Sequence, residues 1–247
     1  MTRGRLMSYL LRYQLPDFLL LRAGLPTLLV VLFGFMLWKQ AGSAMGWDTA
    51  NGHQFAQQVF RNLAGVFITL GAFLGVARLV TDDRSNGYFR LLFSKPVSIE
   101  RFYVQQWLLS GAGFVLIAGL LGAWFQAGTV TVPVREAMVV MGLTWILVGG
   151  VGFLLSASTN ADAAILVVLF VVSNVLHALK DTPRSPLWPW LRQVTRALPP
   201  TQKLDFIRDQ LYAGSPMPWS HAAHVAGYGV LAFIAALVVL RRSSFAR

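Results

Sequence analysis

The chain has 247 residues, of which 55% are hydrophobic and 13% charged, with a formal net charge of +11 and no cysteine. A water-soluble domain carries about a quarter charged residues, so this charge fraction and the long apolar runs exclude a soluble globular fold. The lack of cysteine excludes disulfides, thiolate metal sites and a cysteine nucleophile.

Residues 1–22 interleave Leu6, Leu10, Leu11, Leu15, Phe18 and Leu19 with Arg3, Arg5, Arg12 and Asp17. That pattern predicts an amphipathic helix lying in the headgroup layer and bent near Pro16; the alternative is a disordered basic leader. Six apolar windows follow: Ala23–Trp38, Leu63–Val80, Tyr103–Phe125, Ala137–Ser156, Ala163–Leu179 and Ala222–Leu240. Each approaches the roughly 20 residues that cross a bilayer, the first needing a few flanking residues. Helices apolar all round belong to membranes rather than to small soluble cores, and no period-two alternation points to a barrel. Lys39 and Gln40 follow the first run where a cleaved signal would carry small residues.

Between the windows, residues 39–58 are polar, carry Gly42, Gly46 and Gly52, and read as a loop. Residues 81–102 form a charged loop. Residues 157–162 form a tight polar turn, with Asp162 favouring the start of the next helix. Residues 180–219 hold seven prolines around two amphipathic stretches, Trp190–Leu198 and Gln202–Tyr212. With Trp188, Trp190, Tyr212 and Trp219 as an aromatic belt, these predict short helices on the outer leaflet. The expected fold is therefore an all-α polytopic membrane protein. An interfacial helix (1–22) precedes a six-helix transmembrane domain (23–240), with a cytoplasmic loop (81–102), an extracytoplasmic loop (180–219) and a basic tail (241–247).

Basic residues gather on the cytoplasmic side of spans and near anionic lipid, so the positive charge indicates a bilayer rather than nucleic acid. With the N-terminus inside, 12 of the 21 Lys and Arg residues fall inside and 9 outside. Both termini are expected in the cytoplasm, in the cell (inner) membrane.

The sequence has no phosphate loop, no Gly-x-Ser-x-Gly and no His-Glu-x-x-His. This chain is expected to bind no cofactor, to hydrolyse no ATP and to be no enzyme. His221 and His224 are three apart, but two ligands are too few for a zinc site. Ser173, Asn174 and His177 of the fifth window either line a polar substrate path or make hydrogen bonds between helices. Deep ionisable residues are almost lacking, which argues against an ion-driven transporter. Gly71 and Gly75, and Gly111, Gly119, Gly122, Gly149, Gly150 and Gly152, permit close helix packing.

The loop between the second and third windows reads Thr81-Asp82-Asp83-Arg84-Ser85-Asn86-Gly87-Tyr88-Phe89-Arg90-Leu91-Leu92-Phe93-Ser94-Lys95-Pro96-Val97-Ser98. Tyr88–Phe93 can form a short helix with an apolar face and Arg90 outward, which Pro96 stops. Ser98 then caps the next helix, with Glu100 in its first turn. Such a surface helix is placed to dock in a groove of a partner; the alternative is a lipid-surface helix without one.

An acidic pair before Arg, then Gly, then Leu-Leu-x-Ser-basic-Pro-Val-Ser leading into a span, resembles the signature of ABC-2 type transporter permeases. The stretch from Leu198-Pro199-Pro200 to Leu204-Asp205-Phe206, the amphipathic leader, the six spans and the Arg241-Arg242 end are similar to that family too. Tyr88 departs from the small residue usual after Gly87, and Ile99-Glu100 from the usual basic residues. The resemblance implies a permease subunit of an exporter that works as a homodimer with two separate ATPase subunits, which hold the ATP and Mg and drive substrate movement or force transmission across the membrane. Asp82, Asp83, Arg84, Gly87, Tyr88, Arg90, Leu91, Leu92, Phe93 and Ser94 are then the contact surface for the ATPase. Two other classes stay open: a non-transporting membrane scaffold or anchor, and an intramembrane enzyme, for which no converging nucleophile and base is found.

Overall fold

The computed structural model describes residue 18 and residues 23–45, 50–76, 80, 98–128, 132–159, 161–180 and 188–243. They form eight helices: α1 (Gly24–Met45), α2 (Ala50–Val76), α3 (Ile99–Gly128), α4 (Val134–Ser158), α5 (Asp162–Lys180), α6 (Trp188–Ala197), α7 (Thr201–Tyr212) and α8 (Trp219–Ser243). There is no strand among the described residues. Among the described residues, five stretches are long and apolar enough to cross a membrane: Gln54–Val76, Glu100–Ala127, Val134–Ser158, Asp162–Leu179 and Trp219–Arg242. The chain is a multi-pass membrane protein.

The helices outrun their apolar windows. The predicted loop at 39–58 is largely helical, since α1 continues to Met45 and α2 begins at Ala50. The reason is visible in α2, where Ala56, Val59, Phe60, Leu63 and Phe67 are buried at helical spacing while Gln58 and Asn62 bond to each other on the exposed side at 3.2 Å. Polar residues on one face do not end a helix whose other face is packed.

The ends are built locally. Asp162 Oδ1 accepts the Ala163 N–H at 2.8 Å, satisfying one of the unpaired donors at the start of α5. Helix α7 stops at Gly214, whose φ of +76° suits glycine. The Gly214 and Ser215 N–H groups return to Leu211 O and Gln210 O, both at 3.0 Å, which is the Schellman closure.

The chain divides into two compact units. Unit 1 comprises Met1–Gly75 with Gln105–Met141, and unit 2 comprises Val76–Val104 with Gly142–Arg247. In unit 1 the core is aromatic. The Phe114 ring meets Phe18 edge-on at 5.0 Å and Phe67 at 6.2 Å, and Phe60 meets Phe125 at 5.6 Å. Gly71 makes room for Phe114, because a Cβ there would lie 3.0 Å from the ring. Phe18 is buried beside Gly113, near the middle of α3. The rest of the predicted leader 1–22 lies outside the described residues.

In unit 2 the core combines a ring chain with a glycine crossing. Tyr103 meets Phe153 at 5.5 Å, and Phe153 meets Phe233 at 5.0 Å. On α4 and α8, Gly150 abuts the Gly229 carbonyl, and Gly229 abuts the Ile146 carbonyl, so closely that a methyl group at either glycine collides with backbone.

Candidate functional site

The loop residues Asp82, Asp83, Arg84, Gly87, Tyr88, Arg90, Leu91, Leu92, Phe93 and Ser94 lie outside the described residues. The structure places the two ends from which they are strung, and both belong to unit 2. At one end, Val80 is fully buried and its N–H donates to Ser156 Oγ at 3.0 Å. At the other, Ser98 O accepts the Phe102 N–H at 3.1 Å as the first turn of α3 forms, and Tyr103 is fully buried. Glu100 lies 3.7 Å from Arg241, so the start of α3 and the last turn of α8 share one end of unit 2. That exposed pair is worth little energetically, and its value is positional. Ser156 and Arg241 sit 76 and 141 positions from Val80 and Glu100, as 156 − 80 and 241 − 100 give. No local pattern in the sequence could have joined them.

The second predicted group is separated by its helix. On α5, Ser173 and His177 are buried, whereas Asn174 is exposed. Ser173 Oγ donates to Pro199 O at 2.8 Å, and His177 Nδ1 donates to Ser173 O at 2.7 Å. Both polar side chains thus make hydrogen bonds to backbone carbonyls.

Pro199 belongs to the Leu198-Pro199-Pro200 corner, which the sequence marked by family likeness but without its contacts. Residues Ala197–Pro200 join α6 to α7, and the end of α6 leaves carbonyls without intrahelical partners. Ser173 from α5 takes Pro199 O, and Tyr228 from α8 donates its hydroxyl to Ala197 O at 2.9 Å. Two helices therefore pin one corner. The helices α6 and α7 cover most of the predicted stretches Trp190–Leu198 and Gln202–Tyr212.

Along α7, Arg208 reaches Asp205 at 2.9 Å and Asp209 at 3.1 Å. Burial pushes the Asp205 carboxyl above its ordinary value, and Asp209 adds to the rise, against the lowering effect of Arg208. Phe206 packs against the His221 ring at 4.9 Å. No group of three or more metal-ligating side chains occurs among the described residues, and His224 finds no third ligand there.

Unit 1 contains a narrow apolar cleft with room for little more than water-sized groups. Phe60, Leu63, Ala64, Phe67 and Ile68 of α2 line one wall. Ala118, Leu121, Trp124 and Phe125 of α3 line the other, with Val30 of α1 and Ala137 of α4 at the sides. The sequence marked these positions only as parts of apolar windows.

Comparison with protein-family models, with curated proteins and with solved structures returns no match.

Proposed function

We propose that this chain is the transmembrane permease subunit of an ATP-driven ABC transporter of the ABC-2 type, an exporter working as a homodimer with two copies of a separate ATPase. The observation that carries the reading is the order of residues from Asp82 to Ser98 between α2 and α3. Two features support it. The ends of that loop are held by buried contacts at Val80 and Tyr103, so a push on the loop would reach α3 and α4. The Glu100–Arg241 contact sets the basic end of α8 beside it, as expected if loop and tail share the cytoplasmic side.

In this reading α1 is the sixth span: its 22 residues extend about 33 Å, enough for a hydrocarbon core of about 30 Å. The leader 1–22 lies along the inner surface, and α6 and α7 lie at the outer one. Closure of the ATPases on ATP moves the docked loop, and coupling requires that loop and substrate path each differ between two global states. Ser173, Asn174 and His177 remain the proposed path residues, with Ser173 and His177 acting through the α6–α7 corner.

Pull-down of the ATPase with Tyr88→Ala and Leu91→Ala variants tests the docking surface. Each substitution is expected to cost about 1–3 kcal/mol of docking, roughly one to two orders of magnitude in affinity, with normal insertion of the chain. Full retention of the partner by both variants and by the double variant would make the loop a plain connector.

A further inference from the structure

We propose that an exposed strip of side-chain amides on α2, centred on Gln58 and Asn62, is the seam along which a second copy of this chain docks inside the bilayer. The proposal rests on the homodimer of the reading above and deepens it by naming the contact. Gln54, Gln58, Asn62 and Thr69 are exposed and stand four, four and seven positions apart, spacings that a period of 3.6 residues brings to one face. Gly65 lies on the same face, and a Cβ there would meet nothing within 4 Å. The strip is deep. Gly65 is the central residue of the span Gln54–Val76. With that span centred in the bilayer, Asn62 lies about 5 Å from the midplane and Gln58 about 10 Å. Both fall inside the hydrocarbon core, whose half-thickness is about 15 Å.

Hydrocarbon cannot satisfy an amide, so polar side chains at this depth belong against protein. Gln58 Nε2 donates to Asn62 Oδ1 at 3.2 Å, which leaves both Asn62 Nδ2 hydrogens and the Gln58 Oε1 acceptor unspent. Donors and acceptors are thus spare in one strip. That makes it complementary to itself, as a contact between identical surfaces about a two-fold axis requires. Gln57 and Arg61 beside the strip are part-buried and engaged within their own chain, so amides, and not the guanidinium, are what this face offers. On the other side Val66 is apolar and 49% exposed. A narrow polar strip between apolar and engaged neighbours fits a seam between two helices, and Gly65 lets such helices approach closely. The wall of a water-filled path would present exposed polar groups across a broader face.

The test places a single cysteine on the strip, in a chain that has none of its own. The full chain is reconstituted in phosphatidylethanolamine–phosphatidylglycerol vesicles and oxidised with copper phenanthroline. Gly65→Cys is expected to give a disulfide-linked dimer, and Leu116→Cys, at an exposed position of α3, at least fivefold less. In the Gly65→Cys chain, Gln58→Leu together with Asn62→Leu should lower the dimer at least fivefold. Both substitutions make the span more apolar, so insertion is retained. Equal cross-linking at positions 65 and 116, or a dimer that survives both leucines, would overturn the proposal. So would a Gly65→Cys chain that reacts with a membrane-impermeant thiol reagent and does not cross-link, which would make the strip the wall of a water-filled path. Counting subunits by single-molecule photobleaching separates two failures. A dimer without cross-linking at position 65 overturns the seam alone and leaves the homodimer standing, whereas monomers throughout overturn both.

Discussion

Unit 1 and unit 2 both pack aromatic rings between helices, but only unit 2 adds a backbone crossing of two glycines among the described residues. In unit 2, α4 and α8 approach until Gly150 and Gly229 touch backbone, and polar side chains pin the α6–α7 corner. In unit 1, phenylalanine rings fill the space between helices and leave a cleft where alanines stand instead. The solvent constrains both. Lipid tails are as apolar as leucine, so helices gain little from burying hydrocarbon and rely on close packing and hydrogen bonds. A glycine crossing supplies both walls of contact from backbone, whereas a ring-filled interface depends on each ring finding its place.

The comparison breaks most sharply at the crossing. Gly229→Leu pushes a side chain into the carbonyl of Ile146, and backbone cannot swing aside as a side-chain tip can. The expected cost is on the order of 3 kcal/mol or more, read as loss of the folded fraction by steric trapping in bicelles. Gly227→Ala is the control on the same helix, because a Cβ there meets nothing within 4 Å. It should be neutral or stabilising by up to about 1 kcal/mol. Equal effects of the two would dismiss the crossing.

In unit 1 the matching change is Phe114→Ala, which strips the ring shared by Phe18, Phe67 and Gly71. We expect about 2 kcal/mol, below the 3–5 kcal/mol typical of soluble cores, because the exposed reference state is already in hydrocarbon. Its effect on the same unfolding measurement should be at least partly reversed by Gly71→Ala, which narrows the void. A purely additive loss would mean that the ring and the glycine do not share one space.

The smallest effect belongs to the pins. Tyr228→Phe and Ser173→Ala each remove one hydrogen bond to the corner, worth about 0.6 kcal/mol in a membrane protein. Amide exchange at Leu198 and Thr201 should rise in each variant and rise further in the double. Unchanged exchange in the double would leave the corner held by packing alone.

The apolar windows foretold where α2, α3, α4, α5 and α8 run, because hydrocarbon on every face of a helix has one common explanation. Their ends were not legible. Residues 39–58 look like a loop until Ala56, Val59 and Phe60 are seen to be buried together. Ser173, Asn174 and His177 show a second limit. Spacings of three and four both place residues on neighbouring parts of a helix, and only the packing of α5 decides that Ser173 and His177 turn inward while Asn174 does not. Gly150 and Gly229 show a third. A glycine announces room for an approach, but its partner lies 79 positions away, as 229 − 150 gives, and no period links them. The cleft was hidden for a related reason: alanine in an apolar window counts as filler until the helices opposite it also carry alanine.

The crossing of α4 and α8 also sets a mechanical ratio. Two rods that touch closely at one place, and cannot interpenetrate there, tilt about that place more readily than they slide. From Gly229 to Arg241 is twelve residues and from Gly229 to Trp219 ten, as the subtractions 241 − 229 and 229 − 219 give, or arms of about 18 Å and 15 Å. A sideways push on the Arg241 end would then swing the Trp219 end by nearly the same distance in the opposite direction. The fulcrum sits slightly off centre, and its position is fixed by the absence of two side chains.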